Sequence, residues 1–183
     1  MKVIIIDYKM GNVSSVYNAL ESLGYNPIIS NNKEDIEEAT HIILPGVGAF
    51  GKGMENLRKL NLIELLYDQV IIKKKPFLGI CIGLQLLADD GEEGGYNKGL
   101  GWIKGTVKRL NPNDKGLKIP HIGWNDVYFK KESDLLKGLG KSEVFYFVNS
   151  YHLIPKEKDI IAGTCDYGGE FVAIIQKDNI FAT

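Results

Sequence analysis

Apolar residues fall along this chain in two rhythms. In the first half, unbroken apolar runs alternate with segments of helical spacing. Val3-Ile4-Ile5-Ile6 is continuous, as in a strand buried on both faces. From Ser14 to Leu23 the apolar positions Val16, Ala19, Leu20 and Leu23 predict a helix, with Gly24 to end it. Pro27-Ile28-Ile29 predicts a second short strand and Asn32 to Ala39 a polar helix. His41-Ile42-Ile43-Leu44 predicts a third strand, stopped by Pro45-Gly46. Leu57 to Val70 returns to helical spacing, Phe77-Leu78-Gly79-Ile80 predicts a fourth strand, and Leu84 to Ala88 opens the next helix. Such alternation implies right-handed crossovers and a parallel sheet covered by helices.

The second half reads differently. Trp102 to Leu110, Trp124 to Lys130, Val144 to Ile154, Ile160 to Asp166 and Phe171 to Gln176 are short strand-like runs with little helix between them. They predict hairpins that continue the central sheet or attach to its edge. Asn179-Ile180-Phe181-Ala182-Thr183 reads as the start of another strand, and a domain that stops inside such a run is expected to be cut short. No repeat or low-complexity linker divides the chain, so 1–183 is read as one α/β domain.

Charge narrows the possible functions. Lysine plus arginine is 22 and aspartate plus glutamate 23, which leaves no excess to draw nucleic acid or a membrane surface. The longest basic run, Lys73-Lys74-Lys75, reads as a solvated helix end. No apolar stretch reaches the length of a membrane span, and Met1 to Asp7 reads as a strand, not a signal peptide. The 2 cysteines, Cys81 and Cys165, do not make a disulfide framework in a chain of 183 residues. Without an export signal, a reducing cytoplasm with both thiols free is the expectation.

One of those thiols sits in a chemical pattern. Gly79-Ile80-Cys81-Ile82-Gly83-Leu84-Gln85 follows a predicted buried strand and enters a predicted helix. A turn that sharp strains its central residue, and flanking glycines relieve the crowding, as in a nucleophile elbow. The helix start favours thiolate over thiol. Its free N–H groups, notably that of Ile82, can stabilise an oxyanion. A buried cysteine between two packing glycines is the other reading of these residues alone. A second turn, Leu44-Pro45-Gly46-Val47-Gly48, follows the third strand. In a parallel sheet it lies at the same carboxyl edge as Cys81, where such folds place their sites. Its glycines let N–H groups approach a ligand, as the other half of an oxyanion hole requires. By itself it also reads as a plain turn.

On these residues the sequence resembles the class I glutamine amidotransferases. The 79–85 segment is similar to their nucleophile motif, and Pro45-Gly46-Val47-Gly48 to their oxyanion turn. Within that class, four segments resemble a branch of glutaminase subunits that supply ammonia to a synthase of histidine biosynthesis. They are Asp7-Tyr8-Lys9-Met10-Gly11-Asn12, Pro45-Gly46-Val47-Gly48-Ala49-Phe50, Pro120-His121-Ile122-Gly123-Trp124-Asn125 and Tyr146-Phe147-Val148-Asn149-Ser150-Tyr151. The likeness runs in order from Met1 to Thr183. It implies the class I glutamine amidotransferase (flavodoxin-like) fold, with a mostly parallel central sheet flanked by helices and β-hairpins added in the second half.

The resemblance also implies chemistry. Cys81 would attack the side-chain amide of L-glutamine, release ammonia and pass through a thioester to glutamate, with no cofactor and no metal. The oxyanion would lie between N–H groups of Val47 and Ile82. Gly46, Gly48, Gln85, Glu93, Ser150 and Tyr151 would hold the substrate. Read alone, Glu93 is equally a solvated loop acid beside Glu92. Ammonia would pass to a (β/α)8-barrel cyclase/synthase subunit in a heterodimer, docked on Met10, Gly11, Asn12, Pro120, His121, Trp124 and Asn125. Read alone, those residues are ordinary loop and hairpin.

One part of the family pattern is missing. Its members carry the catalytic histidine and glutamate in a His-Pro-Glu stretch that follows a strand like Ile180 to Thr183, and this sequence contains no such stretch. The 183-residue chain is therefore expected to turn over glutamine negligibly. His41 starts a strand at the wrong edge and His121 belongs to the segment placed near the partner. His152 alternates with Ser150 on one strand and alone could substitute as a base. Three other functions compete: a paralogous amidotransferase subunit for surface-polysaccharide sugars, cued by Asn149 and Tyr151-His152-Leu153; a non-catalytic docking module; and a cysteine hydrolase built on the same elbow.

Overall fold

A computed structural model describes residues 1–114 and 116–183. The chain opens with β1 (Val3–Ile6), α1 (Val13–Ser22), β2 (Ile28–Ser30), α2 (Lys33–Glu38) and β3 (His41–Gly46). Then come α3 (Phe50–Lys59), α4 (Leu62–Tyr67), β4 (Phe77–Cys81) and α5 (Ile82–Gln85). The remainder is β5 (Ala88–Gly91), β6 (Asn97–Lys98), β7 (Ile103–Arg109), β8 (His121–Phe129), β9 (Ser142–Asn149), β10 (Tyr151–Pro155), β11 (Ile161–Asp166), β12 (Glu170–Lys177) and β13 (Ile180–Ala182).

Nine strands form one sheet in the order β2-β1-β3-β4-β13-β12-β11-β8-β9. It is parallel from β2 to β13 and antiparallel from β13 to β9. The second-half strands thus continue the central sheet, as expected, and also supply a second sheet of four strands, β10-β7-β5-β6.

The unbroken isoleucine run of β1 serves two cores. Alternate strand residues point to opposite faces. Ile4 and Ile6 join Ile42, Leu44, Phe50, Leu57 and the second sheet's Ile103 and Val107 on one side. Val3, Ile5 and Ile43 face Val13, Val16, Tyr17 and Leu20 of α1 on the other. Each such isoleucine contributes ~1.5–3 kcal/mol over leaving it exposed. A third cluster, with Val127, Ala162, Cys165 and Phe171, fills the antiparallel side.

Four expected boundaries move. The helix expected over Leu57 to Val70 is broken at Asn61, whose left-handed φ of 56° separates α3 from α4; asparagine tolerates that conformation. A single turn of π-helix, Asp68–Ile72, follows α4. β3 does not stop at Pro45 but runs through Gly46, where Pro45 pairs with Ile80 and Gly46 with Cys81. The helix after Cys81 ends at Gln85, and Ala88 opens β5 instead. Leu86 and Leu87 are buried without the polar face an exposed helix would show. Finally, Val144 to Ile154 is not one strand. It breaks at Ser150, sending β9 to the large sheet and β10 to the second.

Candidate active site at the carboxyl edge of the parallel strands

The site begins with backbone strain. Cys81 ends β4 with φ 57° and ψ −111°, a conformation costly for a residue with a Cβ. Close backbone approach holds it there. A Cβ on Gly83 would overlap the Leu44 carbonyl oxygen, and one on Gly79 would lie 2.7 Å from the Gly83 carbonyl oxygen. Both glycines of the motif are thus steric requirements of seating α5 on β3 and β4. Cys81 N–H donates to the Thr183 carbonyl at 2.7 Å, and Thr183 N–H donates to the Gly79 carbonyl at 2.9 Å, so the residue after β13 fastens the elbow from its other side.

Cys81 is exposed at the mouth of a cleft. One part of the cleft is walled by Val47, Gly48, Ala49, Ile82, Gln85, Glu93, Pro120 and Asn149-Ser150-Tyr151. A second part, continuous with it through Cys81, Gln85 and Asn149, has His152, Leu84, Phe171 and Thr183 along its walls. Residues of the elbow, the 47–49 turn, the 93 loop and the β9–β10 junction therefore line one cleft with Cys81.

The thiol differs from expectation in one respect. Packing around the sulfur raises its pKa, and the Ile82 N–H acts the other way without overcoming it. The helix that was to lower the pKa, α5, is a single turn of four residues and carries little macrodipole. Cys165, by contrast, is wholly buried, and burial followed by the charges of Asp166 and Asp126 pushes its thiol up to about 11.

The substrate residues are placed unequally. Gly48, Gln85, Glu93, Ser150 and Tyr151 line the cleft, while Gly46 is buried inside β3 and is not among the residues lining it. Its lack of a side chain is explained by Tyr8, whose hydroxyl a Cβ would overlap. Gln85 is buried and donates from Nε2 to the Tyr151 carbonyl at 3.1 Å, leaving its Oε1 unpaired. Glu93 is not a free loop acid. Its carboxylate accepts the Phe50 N–H at 2.8 Å and so caps α3, whose own N-cap, Ala49, has no side chain to do it. A carboxylate keeps further lone pairs for a ligand after one such bond.

Asn149 was not among the expected site residues, yet the structure places it in the cleft. It lines both parts of the cleft and donates to the same Tyr151 carbonyl at 3.2 Å, with its own Oδ1 unpaired. The signal was its position one residue before Ser150. Tyr8 was missed because nothing in its spacing marks it. Of the three histidines, His152 alone reaches the Cys81 cleft, and burial lowers its pKa, so it is neutral at pH 7. His41 bonds Thr40 at 3.0 Å and borders a different, apolar hollow among Val3, Leu20 and Phe181.

The expected partner residues divide by side-chain direction. Trp124 is 73% exposed and packs edge-on against Tyr146 at 5.4 Å. Pro120 is exposed at the cleft. His121, however, is buried between Phe147 and Tyr167, with stacked ring centroids at 4.9 and 4.0 Å. Asn125 donates to the Asp166 carbonyl at 2.9 Å, tying β8 to β11. Strand alternation is the reason: His121, Gly123 and Asn125 share one face, Ile122 and Trp124 the other, so the buried His121 turns away from the expected interface while Asn125 stays half-buried. Asn12 caps α1 by accepting the Ser15 N–H at 3.2 Å, Met10 lies against Gly48, and Gly11 packs on the Pro45–Gly46 backbone. This segment packs behind the Val47-Gly48 turn.

Comparison with known proteins resolves what such an elbow and cleft define. The family described as glutamine amidotransferase class-I matches residues 4–183, and the chain belongs to it. More specifically, it is 47% identical over 183 residues to the imidazole glycerol phosphate synthase subunit HisH of Aquifex aeolicus, covering 100% of this chain and 86% of that protein. It is 45% identical over 179 residues to subunit HisH 2 of Pseudomonas aeruginosa, covering 98% and 88%. A crystal structure of a glutamine amidotransferase superposes with a TM-score of 0.74 at 18% identity, covering 98% of this chain and 87% of the other, a likeness of fold. No helix is long and apolar enough to cross a membrane among the described residues.

Proposed function

We propose that this chain is the glutaminase subunit of a two-part synthase of the imidazole glycerol phosphate type, with Cys81 as its nucleophile. The observation that carries the reading is the strained Cys81 elbow opening onto one cleft with the Val47-Gly48 turn, Gln85, Glu93 and Ser150-Tyr151. The HisH relatives are named as subunits of imidazole glycerol phosphate synthase, which supports a partner subunit and, with the sequence resemblance, a place in histidine biosynthesis.

The thiolate of Cys81 attacks the side-chain carbonyl carbon of L-glutamine. The carbonyl oxygen takes up the negative charge between the N–H groups of Ile82 and Val47. The C–N bond breaks, the nitrogen takes a proton, and ammonia leaves a thioester. Water then attacks the thioester carbonyl, freeing glutamate and restoring the thiol. Gln85, Glu93 and the Ser150-Tyr151 backbone hold the amino-acid end. Proton transfer belongs to a histidine that the family places in its His-Pro-Glu stretch, which this sequence does not contain.

The partner is a (β/α)8-barrel synthase, docked on the outer face of the β8–β9 ladder. Ile122 pairs with Val148 and Trp124 with Tyr146 across that ladder, and these four are exposed together with Val144 and Tyr128. Tyr146 and Val148 also line the cleft, so a partner on this face sits at the mouth from which ammonia leaves. The protein works in the cytoplasm, a reading supported by its two free cysteines.

The test is a glutamine-to-glutamate assay on the 183-residue chain and on one extended through a His-Pro-Glu stretch, each with and without the synthase subunit. The extended chain with partner is expected to be active and the shorter one not. No activity in any combination would reject the reading. Equal activity in both lengths would make another residue, His152, the base.

A further inference from the structure

Tyr8 is fully buried, and its hydroxyl has no hydrogen-bond partner. Leaving a buried hydroxyl unpaired is costly, and phenylalanine would fill the same space without that cost. Its location gives a reason for it. A Cβ on Gly46 would overlap the Tyr8 hydroxyl and lie 3.1 Å from the Ile82 Cβ. Gly46 in turn pairs with Cys81 across β3 and β4. The hydroxyl therefore lies at the base of the oxyanion turn, beside the first residue of α5 and one strand from the sulfur. The backbone that carries it is fixed: Asp7 N–H donates to the Ser30 carbonyl at 3.1 Å, and Gly11 packs on Pro45 and Gly46.

Among the described residues, few other groups can hold the charge of the nucleophile. Dense packing opposes ionisation of Cys81, and the Ile82 N–H favours it. Among the described residues, the titratable groups beside Cys81 on the walls of the cleft are Glu93, Tyr146, Tyr151 and His152, none of them a cation above pH 7. Burial first, and then the Cys81 charge, keep the Tyr8 phenol protonated and hence a donor.

We propose that Tyr8 is a positioning residue for the nucleophile, its unpaired hydroxyl the dipole that turns toward Cys81 Sγ when the thiol loses its proton. The hydroxyl keeps its own proton throughout; it orients and steadies the anion. The proposal rests on Cys81 being the nucleophile, and its test does not use glutamine turnover, so the two can fail separately.

The test compares the pH dependence of Cys81 alkylation by iodoacetamide, mapped by mass spectrometry, in the wild-type chain and Tyr8→Phe. The inflection is expected to move up by about 0.5–1 pH unit, which slows labelling below it by about 3–10-fold, with the high-pH plateau unchanged. Tm is expected to rise by about 2–4 °C as the orphan hydroxyl disappears. His41→Gln, remote from the cleft and run in parallel, is expected to leave the inflection in place. An unmoved inflection in Tyr8→Phe overturns the proposal. So does loss of cooperative folding, which would make the hydroxyl a structural bonding group.

Discussion

β4 and β9 belong to one sheet yet face different surroundings. β4 lies between β3 and β13, and its elbow is held by close backbone contacts at Gly79 and Gly83 and by the Cys81 N–H bond to Thr183. β9 is an edge strand, and Val144, Tyr146 and Val148 put an apolar row into solvent. The first arrangement holds a strained cysteine still. The second leaves a face whose burial requires another molecule. On the proposed function, rigidity for chemistry and exposure for docking are segregated into the parallel and antiparallel parts of the sheet, and they meet where Tyr146, Val148 and Asn149 border the cleft.

The comparison breaks most sharply at the elbow. Cys81→Ser, in a chain extended through a His-Pro-Glu stretch, is expected to cut glutaminase turnover by about 10³-fold or more while leaving Tm close to wild type. Turnover by the unextended chain is expected to be lower than the extended one by ~10²–10⁴-fold. Gly83→Ala drives a methyl into the Leu44 carbonyl, so denaturant unfolding is expected to show a loss of about 2–3 kcal/mol. On the docking side the signs reverse. Trp124→Ala and Tyr146→Ala are each expected to weaken synthase binding by about 10–100-fold, read by calorimetry, with stability within about 0.5 kcal/mol of wild type.

The smallest effect is a pH dependence beneath the docking face. Burial holds the His121 pKa below its ordinary 6.5, so the folded protein keeps it neutral where the unfolded chain takes a proton. Stability is therefore full above about pH 6.5 and falls as pH drops from there toward the folded pKa. His152 contributes in the same direction. Urea unfolding at pH 5.5 and 7.5 checks this, and His121→Phe is expected to reduce the difference.

Local chemistry was legible in the sequence wherever backbone geometry demanded a particular residue. Gly79, Gly83 and Gly48 announced the elbow and its facing turn because few other residues fit. The isoleucine run of β1 announced a strand with two covered faces. What stayed hidden depended on partners distant in sequence. Glu93 looked like a solvated acid because the N–H it accepts belongs to Phe50. His121 and Trp124 looked alike within one motif, and only the strand's two-residue period, set by packing on Phe147 and Tyr167, sends one inward and the other out. The break at Ser150 was invisible because β9 and β10 are both strand-like and differ only in the sheet they join.

The central claim is that Cys81 attacks glutamine bound in this cleft. It is tested most directly by labelling the folded protein with a chloroketone analogue of L-glutamine and mapping the adduct by mass spectrometry. The account predicts one adduct, on Cys81, suppressed by excess glutamine but not by asparagine, whose side-chain amide is one methylene too short to reach the sulfur. An adduct on Cys165, or labelling of Cys81 that glutamine does not slow, would contradict it.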